Sequence, residues 1–435
     1  MYHLPSSPTI RVLDRFSTLP DEYADDDQLV SFWPLLSAIL LRPVSTTKDV
    51  VDALEEIAHV LRQSTGPAGD YGTLSKVLNA LTFIDFPPGP HPGMTLRLSR
   101  SQAACLVAHQ FLTSLASPRD RSEYYDFGIW YDSEQPHPRA AEMYITAMCV
   151  FFADLPDINI LEEYATRDLE MGGGVSYVLA SAPARSVGNT PMSPFRVLHN
   201  DVHVTGPHSP SSMDPNGALV VAANKVIGFG KSATGEEVTL GTTPEACPAV
   251  LVTPVLTGDQ VVVITGASPV LRVTGERRNV AWEIPDTRTA SADFDAWRMH
   301  RAGGPLLLMD ALELDEHVSE LGQVPDLVPE NIEREVHKAT TSFMATAATT
   351  VYTPLWGCGA FCGDPAVKMC LLWLAASMAS VELVLLLDAR GQALADELEP
   401  FVRRWQEKTA AELRQWLGRV PRTLRGGQVL AYIDT

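Results

Sequence analysis

The chain has 435 residues, of which 46% are hydrophobic and 20% charged, and a formal net charge of −20. That length exceeds one ordinary hydrophobic core, so two domains are expected, and the composition excludes wholesale disorder. The acidic balance excludes a general nucleic-acid binder, because a phosphate backbone rewards clustered Lys and Arg, and no DNA partner is expected. A single diphosphate remains compatible with it, since backbone N–H groups and a few local cations suffice.

Residues 1–30 are rich in Pro and Asp, with an acidic run from Asp21 to Asp27, and read as a loosely ordered arm. Apolar residues at Leu36, Ile39, Leu40, Val50, Leu54, Ile57 and Leu61 give helical spacing over 29–63. A mostly buried helix is expected over 99–115, with Ser99 or Ser101 as its N-cap, and another over 136–153, starting near Pro138. Residues 31–190 are therefore expected to form a mainly helical accessory region. Between 183 and 217 the chain turns rich in Pro, Ser and Gly, with short β-like runs at 195–204. From 218 onward apolar runs at 218–223, 260–265, 304–309 and 381–387 alternate with helix patterns at 328–347, 364–380 and 389–417. That alternation predicts an α/β domain over 191–435 with a largely buried sheet, whose ligands sit at the carboxyl ends of strands.

The six cysteines, Cys105, Cys149, Cys247, Cys358, Cys362 and Cys370, are sparse for a disulfide scaffold. The N-terminal stretch lacks an apolar core, so the thiols read as reduced and the protein as intracellular, in nucleus and/or cytoplasm. The longest apolar stretches, near 369–379 and 383–387, are too short to span a bilayer, and no membrane role is expected.

Two glycine loops follow strand patterns. The first runs Asn224-Lys225-Val226-Ile227-Gly228-Phe229-Gly230-Lys231-Ser232-Ala233-Thr234-Gly235-Glu236-Glu237. Its glycines let backbone approach a ligand, and its two acids place ionisable oxygens where a sugar or phosphate would meet them. The competing reading is that adjacent acids open a solvated helix at its positive end. Gly241, Pro244 and Pro248 predict that such a helix breaks early. Gly230-Lys231-Ser232 resembles the end of a P-loop, but Lys225 stands where that motif needs glycine.

The second loop is Trp356-Gly357-Cys358-Gly359-Ala360-Phe361-Cys362-Gly363-Asp364-Pro365. Backbone donors and a helix beginning at Asp364-Pro365 together make a diphosphate seat; the alternative is a tight structural turn. The glycine run Met171–Gly174 lacks following carboxylates and reads as a turn. His199, Asp201, His203 and His208 read as a surface cluster, and Cys358 with Cys362 has no second pair, so no metal site is expected.

These two loops together resemble the poly(ADP-ribose) glycohydrolases over roughly residues 90–420. Ala223-Asn224-Lys225, Gly228-Phe229-Gly230 and Gly235-Glu236-Glu237 are similar to that family's catalytic stretch, and Trp356–Asp364 to its diphosphate loop. The chain departs from the family pattern at Val221, Phe229, Gly235, Glu276, Leu355 and Leu387 or Asp388, and reads as a divergent member. The resemblance implies a macrodomain-like mixed sheet flanked by helices behind a helical accessory region. It implies hydrolysis of ribose–ribose O-glycosidic bonds in poly(ADP-ribose), releasing ADP-ribose without a cofactor. Glu237 would be the general acid and base and Glu236 would hold ribose hydroxyls. Asn224, Gly228, Phe229 and Gly230 would line the sugar, while Gly359, Ala360, Phe361, Cys362 and Gly363 would hold the diphosphate. The implied partners are poly(ADP-ribose) or ADP-ribose and ADP-ribosylated proteins. A non-catalytic ADP-ribose-binding module and a hydrolase of mono-ADP-ribosyl conjugates are the alternatives.

Overall fold

The computed structural model describes most of 11–31, two positions at 35 and 38, then 94–111, 127–131, 135–154 and 174–199. It further describes 214–285 except 215 and 276, then 303–315, 322–388 and 391–433. The remainder of the helix expected over 29–63, most of the Met171–Gly174 run, Asp201, His203, His208 and Glu276 lie outside the described residues.

Strand β1 (Arg11–Leu13) pairs antiparallel with β2 (Leu29–Ser31). Arg11 reaches across to Ser31 Oγ at 3.0 Å and Asp25 Oδ2 at 2.8 Å. The described residues of 11–31 thus include a two-stranded antiparallel pairing, and 29–31 is strand rather than helix. Next come β3 (Met94–Leu98), α1 (Arg100–Phe111), α2 (Gly128–Tyr131) and α3 (Pro138–Ala153). β4 (Val175–Ser181), β5 (Phe195–His199) and β6 (Ala218–Ala223) lead to α4 (Gly235–Thr242). β7 (Gln260–Thr265) precedes a small ribbon of β8 (Arg272–Thr274) and β9 (Ala281–Glu283). The remainder is β10 (Leu306–Asp310), α5 (Pro329–Met344), β11 (Thr350–Thr353), α6 (Pro365–Ala379) and β12 (Glu382–Leu387). Helices α7 (Gln392–Trp405), α8 (Ala410–Leu417) and α9 (Gly427–Ala431) close the described chain. The single helix expected over 389–417 is divided because Thr409 starts a new one, its N–H bonded to Glu412 Oε2 at 2.8 Å.

Eight strands form one mixed sheet in the order β3-β4-β7-β10-β6-β11-β12-β5. The β3, β4, β7 and β10 pairings are antiparallel, whereas β10, β6, β11, β12 and β5 run parallel. Buried strands covered on both faces read as continuous apolar runs, which is why β6 was legible as Ala218–Ala223. Its Leu219, Val221 and Ala223 face one core with α1, α2, α3 and α4. Ala218 and Val220 face the other core, with α5 to α9.

A boundary at 190/191 cuts through this sheet. β3 and β4 come from the segment expected to be helical accessory, yet β4 pairs with β7 from Ser176↔Thr265 to Ser181↔Gln260. α1 is tied to the same body by a buried ion pair, Arg100 Nη1 to Glu245 Oε1 at 2.6 Å. The helical part of the expectation holds for α1 to α3, which form a layer on one face of the sheet.

Candidate active site

β6, β10 and β11 lie side by side and parallel, with Asp310 level with Ala223. The loops that leave β6 and β11 therefore emerge at the same rim of the sheet. This is where ligands bind in α/β sheets, because adjacent loops diverge there and leave a crevice.

The first loop begins with Asn224, whose Oδ1 accepts the Val226 N–H at 3.1 Å in a local turn. Lys225, beside it, pairs with Glu313 beyond β10, Nζ to Oε1 at 3.1 Å. Gly235, Glu236 and Glu237 open α4, so a helix does follow the acids; it runs through Gly241 and ends at Thr242, just before Pro244, in line with the early break expected there. Two features make it stable. Glu237 Oε2 accepts the Thr234 N–H at 3.1 Å, as the acid of a capping box. Gly241 is where Tyr144 of α3 presses on the helix: a Cβ there would stand 2.8 Å from Tyr144 Cε1.

The two acids differ in surroundings. Glu236 is 7% exposed and accepts the Asn224 N–H at 2.7 Å through Oε2, while its buried Oε1 has no hydrogen-bond partner among the described residues. Burial pushes its pKa up to about 8, only partly opposed by the N–H groups of Asn224 and Gly228. It is therefore mostly a neutral acid at pH 7. Glu237 is half-buried, and burial raises its pKa too, against the pull of the Thr234, Ala233 and Ser232 N–H groups and the charge of Arg277. Gly230 lies against Glu237, since a Cβ on it would be 2.6 Å from Glu237 Cδ. Phe229 turns away from the rim. Its ring is 2% exposed and packs at 4.7 Å from Phe127 and 5.1 Å from Trp130, so only its backbone faces the loop interior.

In the second loop Trp356 is fully buried and its indole N–H donates to Met309 O at 2.9 Å, anchoring the loop to β10. The Cys362 N–H donates to Gly359 O at 3.2 Å and the Gly363 N–H to Gly357 O at 2.9 Å. Those two donors shape the loop and are not available to a ligand, contrary to their expected role. Among the described residues the N–H groups of Gly359, Ala360 and Phe361 have no hydrogen-bond acceptor. The N-terminus of α6 is also occupied by its own cap: Asp364 Oδ1 accepts from Ala366 at 3.0 Å and Val367 at 3.2 Å. The expected helix-end contribution to a diphosphate seat is thus filled by a carboxylate. Burial pushes the Cys358 thiol up to about 12, so it is inert at neutral pH.

Beneath this loop lies an ionic network that no sequence motif announced. Lys368, fully buried, pairs with Glu335 Oε2 and with Asp326 Oδ1 at 3.4 Å, and stands 5.0 Å from the Trp356 ring centroid. Its stem explains two glycines, because a Cβ on Gly357 would meet Lys368 Nζ at 3.1 Å and one on Gly363 would meet Cε at 2.6 Å. Gly357 also has φ +76, which only glycine adopts without strain. Arg334 pairs with Asp310 and Glu335, and Lys338 with Asp310 Oδ1 at 2.6 Å. The network joins β10, α5 and α6 under the rim. The available signal was Lys368 itself, the single charged residue of an otherwise apolar α6. Among the described residues no group of three or more His, Cys, Asp and Glu is arranged to hold a metal ion. No helix among them is long and apolar enough to cross a membrane.

A mixed sheet flanked by helices, with glycine loops at the rim of its parallel strands, is a macrodomain-like α/β fold. Residues 195–393 match the family described as poly(ADP-ribose) glycohydrolase (PARG), macro domain fold, and that segment contains both loops. That segment is a little under half of the chain, and through it the chain is similar to the poly(ADP-ribose) glycohydrolase family. Similar solved structures include poly(ADP-ribose) glycohydrolase from Deinococcus radiodurans in complex with ADP-ribose, at 17% identity over 49% of this chain and 84% of that one, TM-score 0.29. A point mutant of that protein, also in complex with ADP-ribose, matches at 16% identity over 49% and 85%, TM-score 0.29. A mutant macrodomain from Oceanobacillus iheyensis matches at 13% identity over 50% and 98%, TM-score 0.27.

Proposed function

We propose that the chain hydrolyses the ribose–ribose O-glycosidic bonds of poly(ADP-ribose) and releases ADP-ribose. The observation that carries this reading is the pair of unlike acids, buried Glu236 and half-exposed Glu237, at a rim shared with three unengaged backbone donors. An acid that meets a leaving group must be reachable, which selects Glu237. Burial raises its pKa, which is the direction a general acid requires.

Glu237 gives its proton to the departing ribose oxygen as the C1–O bond breaks, and positive charge develops on the sugar left behind. The resulting carboxylate then takes a proton from water as the water oxygen bonds to C1, restoring the acid. This differs from the usual two-carboxylate glycosidase, since Glu236 is assigned to the ribose hydroxyls. Asn224 lies beside it, its backbone N–H bonded to Glu236 Oε2. Gly228, Phe229 and Gly230 would line the sugar through backbone. Gly359, Ala360 and Phe361 would donate to the diphosphate, with Cys362 and Gly363 maintaining the loop that presents those donors.

Incubation with polymer and, side by side, with mono-ADP-ribosylated protein tests the reading. Release of ADP-ribose from polymer supports it. Release only from the mono-modified protein moves the substrate to that conjugate, and binding without release from either removes the enzyme assignment.

A further inference from the structure

The family match begins at residue 195, yet the loop carrying Glu237 is held by residues well upstream of it. We propose that Trp130 of α2 and Tyr144 of α3 are positioning residues that set the placement and protonation of Glu237. This rests on the reading of Glu237 as acid and base.

The Trp130 indole N–H donates to Gly230 O at 2.9 Å, and Gly230 is the residue whose backbone lies against the Glu237 carboxyl. The preceding Phe229 is clamped between Phe127 and Trp130, so the glycine loop is fixed on two consecutive residues. Trp130 in turn packs on Tyr144 at 4.3 Å between ring centroids. Tyr144 is 1% exposed and covers Gly241. Glu237 stands one turn before Gly241 and therefore on the face of α4 that Tyr144 covers. The glycine at 241 is what lets α3 approach closely enough to form this roof.

The consequence is electrostatic. Burial is the chief cause of the raised Glu237 pKa, and the Trp130–Tyr144 pair packs against the two positions that flank it, Gly230 of the loop and Gly241 of α4. Tyr144 feels the Glu237 charge, which places the two within electrostatic reach. Among the described residues the other groups acting on Glu237 are the N–H groups of Ser232, Ala233 and Thr234, the Arg277 side chain, and neighbouring Glu236. These remain when the roof is altered, so a change in the roof is read as a change in burial. The accessory layer would thus be a working part of the site, through these two rings.

Trp130→Phe keeps the ring and removes the bond to Gly230. Tyr144→Leu opens the roof, and Tyr144→Phe retains it. The Glu237 carboxyl is titrated by carbon-13 NMR in each, its signal assigned by its loss in Glu237→Gln, alongside kcat and KM on polymer. In Trp130→Phe and Tyr144→Leu the Glu237 midpoint should fall toward the ordinary carboxylate value. Their kcat should fall about tenfold or more with KM within about threefold, while Tyr144→Phe matches the wild type. Unchanged midpoints in both altered proteins, or a change confined to KM, would overturn the assignment. The NMR titration is read whether or not the wild type turns over polymer, so failure of the proposed function and failure of this inference are told apart.

Discussion

Gly230→Ala moves the Glu237 carboxyl without changing the acid itself. The new methyl carbon would stand 2.6 Å from Glu237 Cδ and closer still to Oε1, whereas ordinary contact begins at 3.4 Å. The carboxyl must therefore retreat by about 1 Å, the difference between those distances, in a site where such misplacement costs on the order of 100-fold in rate. That corresponds to about 2.7 kcal/mol of activation free energy. The stability cost stays near about 1 kcal/mol, because the obstructing atoms are the far end of a flexible side chain that can change rotamer. Gly235→Ala is the matched control, since nothing lies within 4 Å of its Cβ position and it sits at the first residue of α4. It should leave turnover unchanged and raise stability by about 0.4–1 kcal/mol through the unfolded chain's lost freedom. Turnover of ADP-ribose from polymer and thermal unfolding are measured on both. If Gly230→Ala turns over like the wild type while folded, the placement of Glu237 does not govern the reaction.

Glu236 makes stability depend on pH. Its folded pKa of about 8 lies above the ordinary 4.5, so between those values the folded state holds a proton that the unfolded state has lost. Stability therefore falls as pH rises from about 4.5 to about 8, by up to about 1.4 kcal/mol per unit, and is level above that. Glu236→Gln removes this titration, so its advantage over the wild type in urea unfolding should grow from pH 5 to pH 8; a constant difference would contradict the buried neutral acid. Lys368→Met removes the buried cation shared by Glu335 and Asp326, leaving Glu335 paired, among the described residues, with Arg334 alone, and should cost about 3–5 kcal/mol in thermal or denaturant unfolding. A cost under about 1 kcal/mol would show that the network does not hold the second loop's foundation.

The legible parts of the molecule were those whose cause is local. β6, β7, β10 and β12 are covered on both faces and so appear as apolar runs, and the loop glycines at 357 and 363 mark where backbone turns tightly over Lys368. The misread parts depend on distant partners. Gly241 read as a helix breaker although it lies within α4, because the residue that makes it favourable, Tyr144, lies about a hundred positions away in the chain. β3 and β4 were absorbed into a helical region because their pairing with each other and with β7 joins segments far apart in sequence. Phe229 read as an interruption of a glycine loop, whereas Phe127 and Trp130 make it an anchor. Donor availability in the second loop was invisible in the sequence, because composition shows which N–H groups exist and only geometry shows that Cys362 and Gly363 have spent theirs.

The most direct test pairs turnover with calorimetry on Glu237→Gln, which keeps the side chain's shape and removes its proton. The wild type should release ADP-ribose from polymer. The variant should release none while binding ADP-ribose within about tenfold of the wild type, because only proton transfer has been removed. Substantial turnover by the variant would remove Glu237 from the mechanism, and failure of the wild type to bind ADP-ribose at millimolar concentration would contradict the account of the site as a whole.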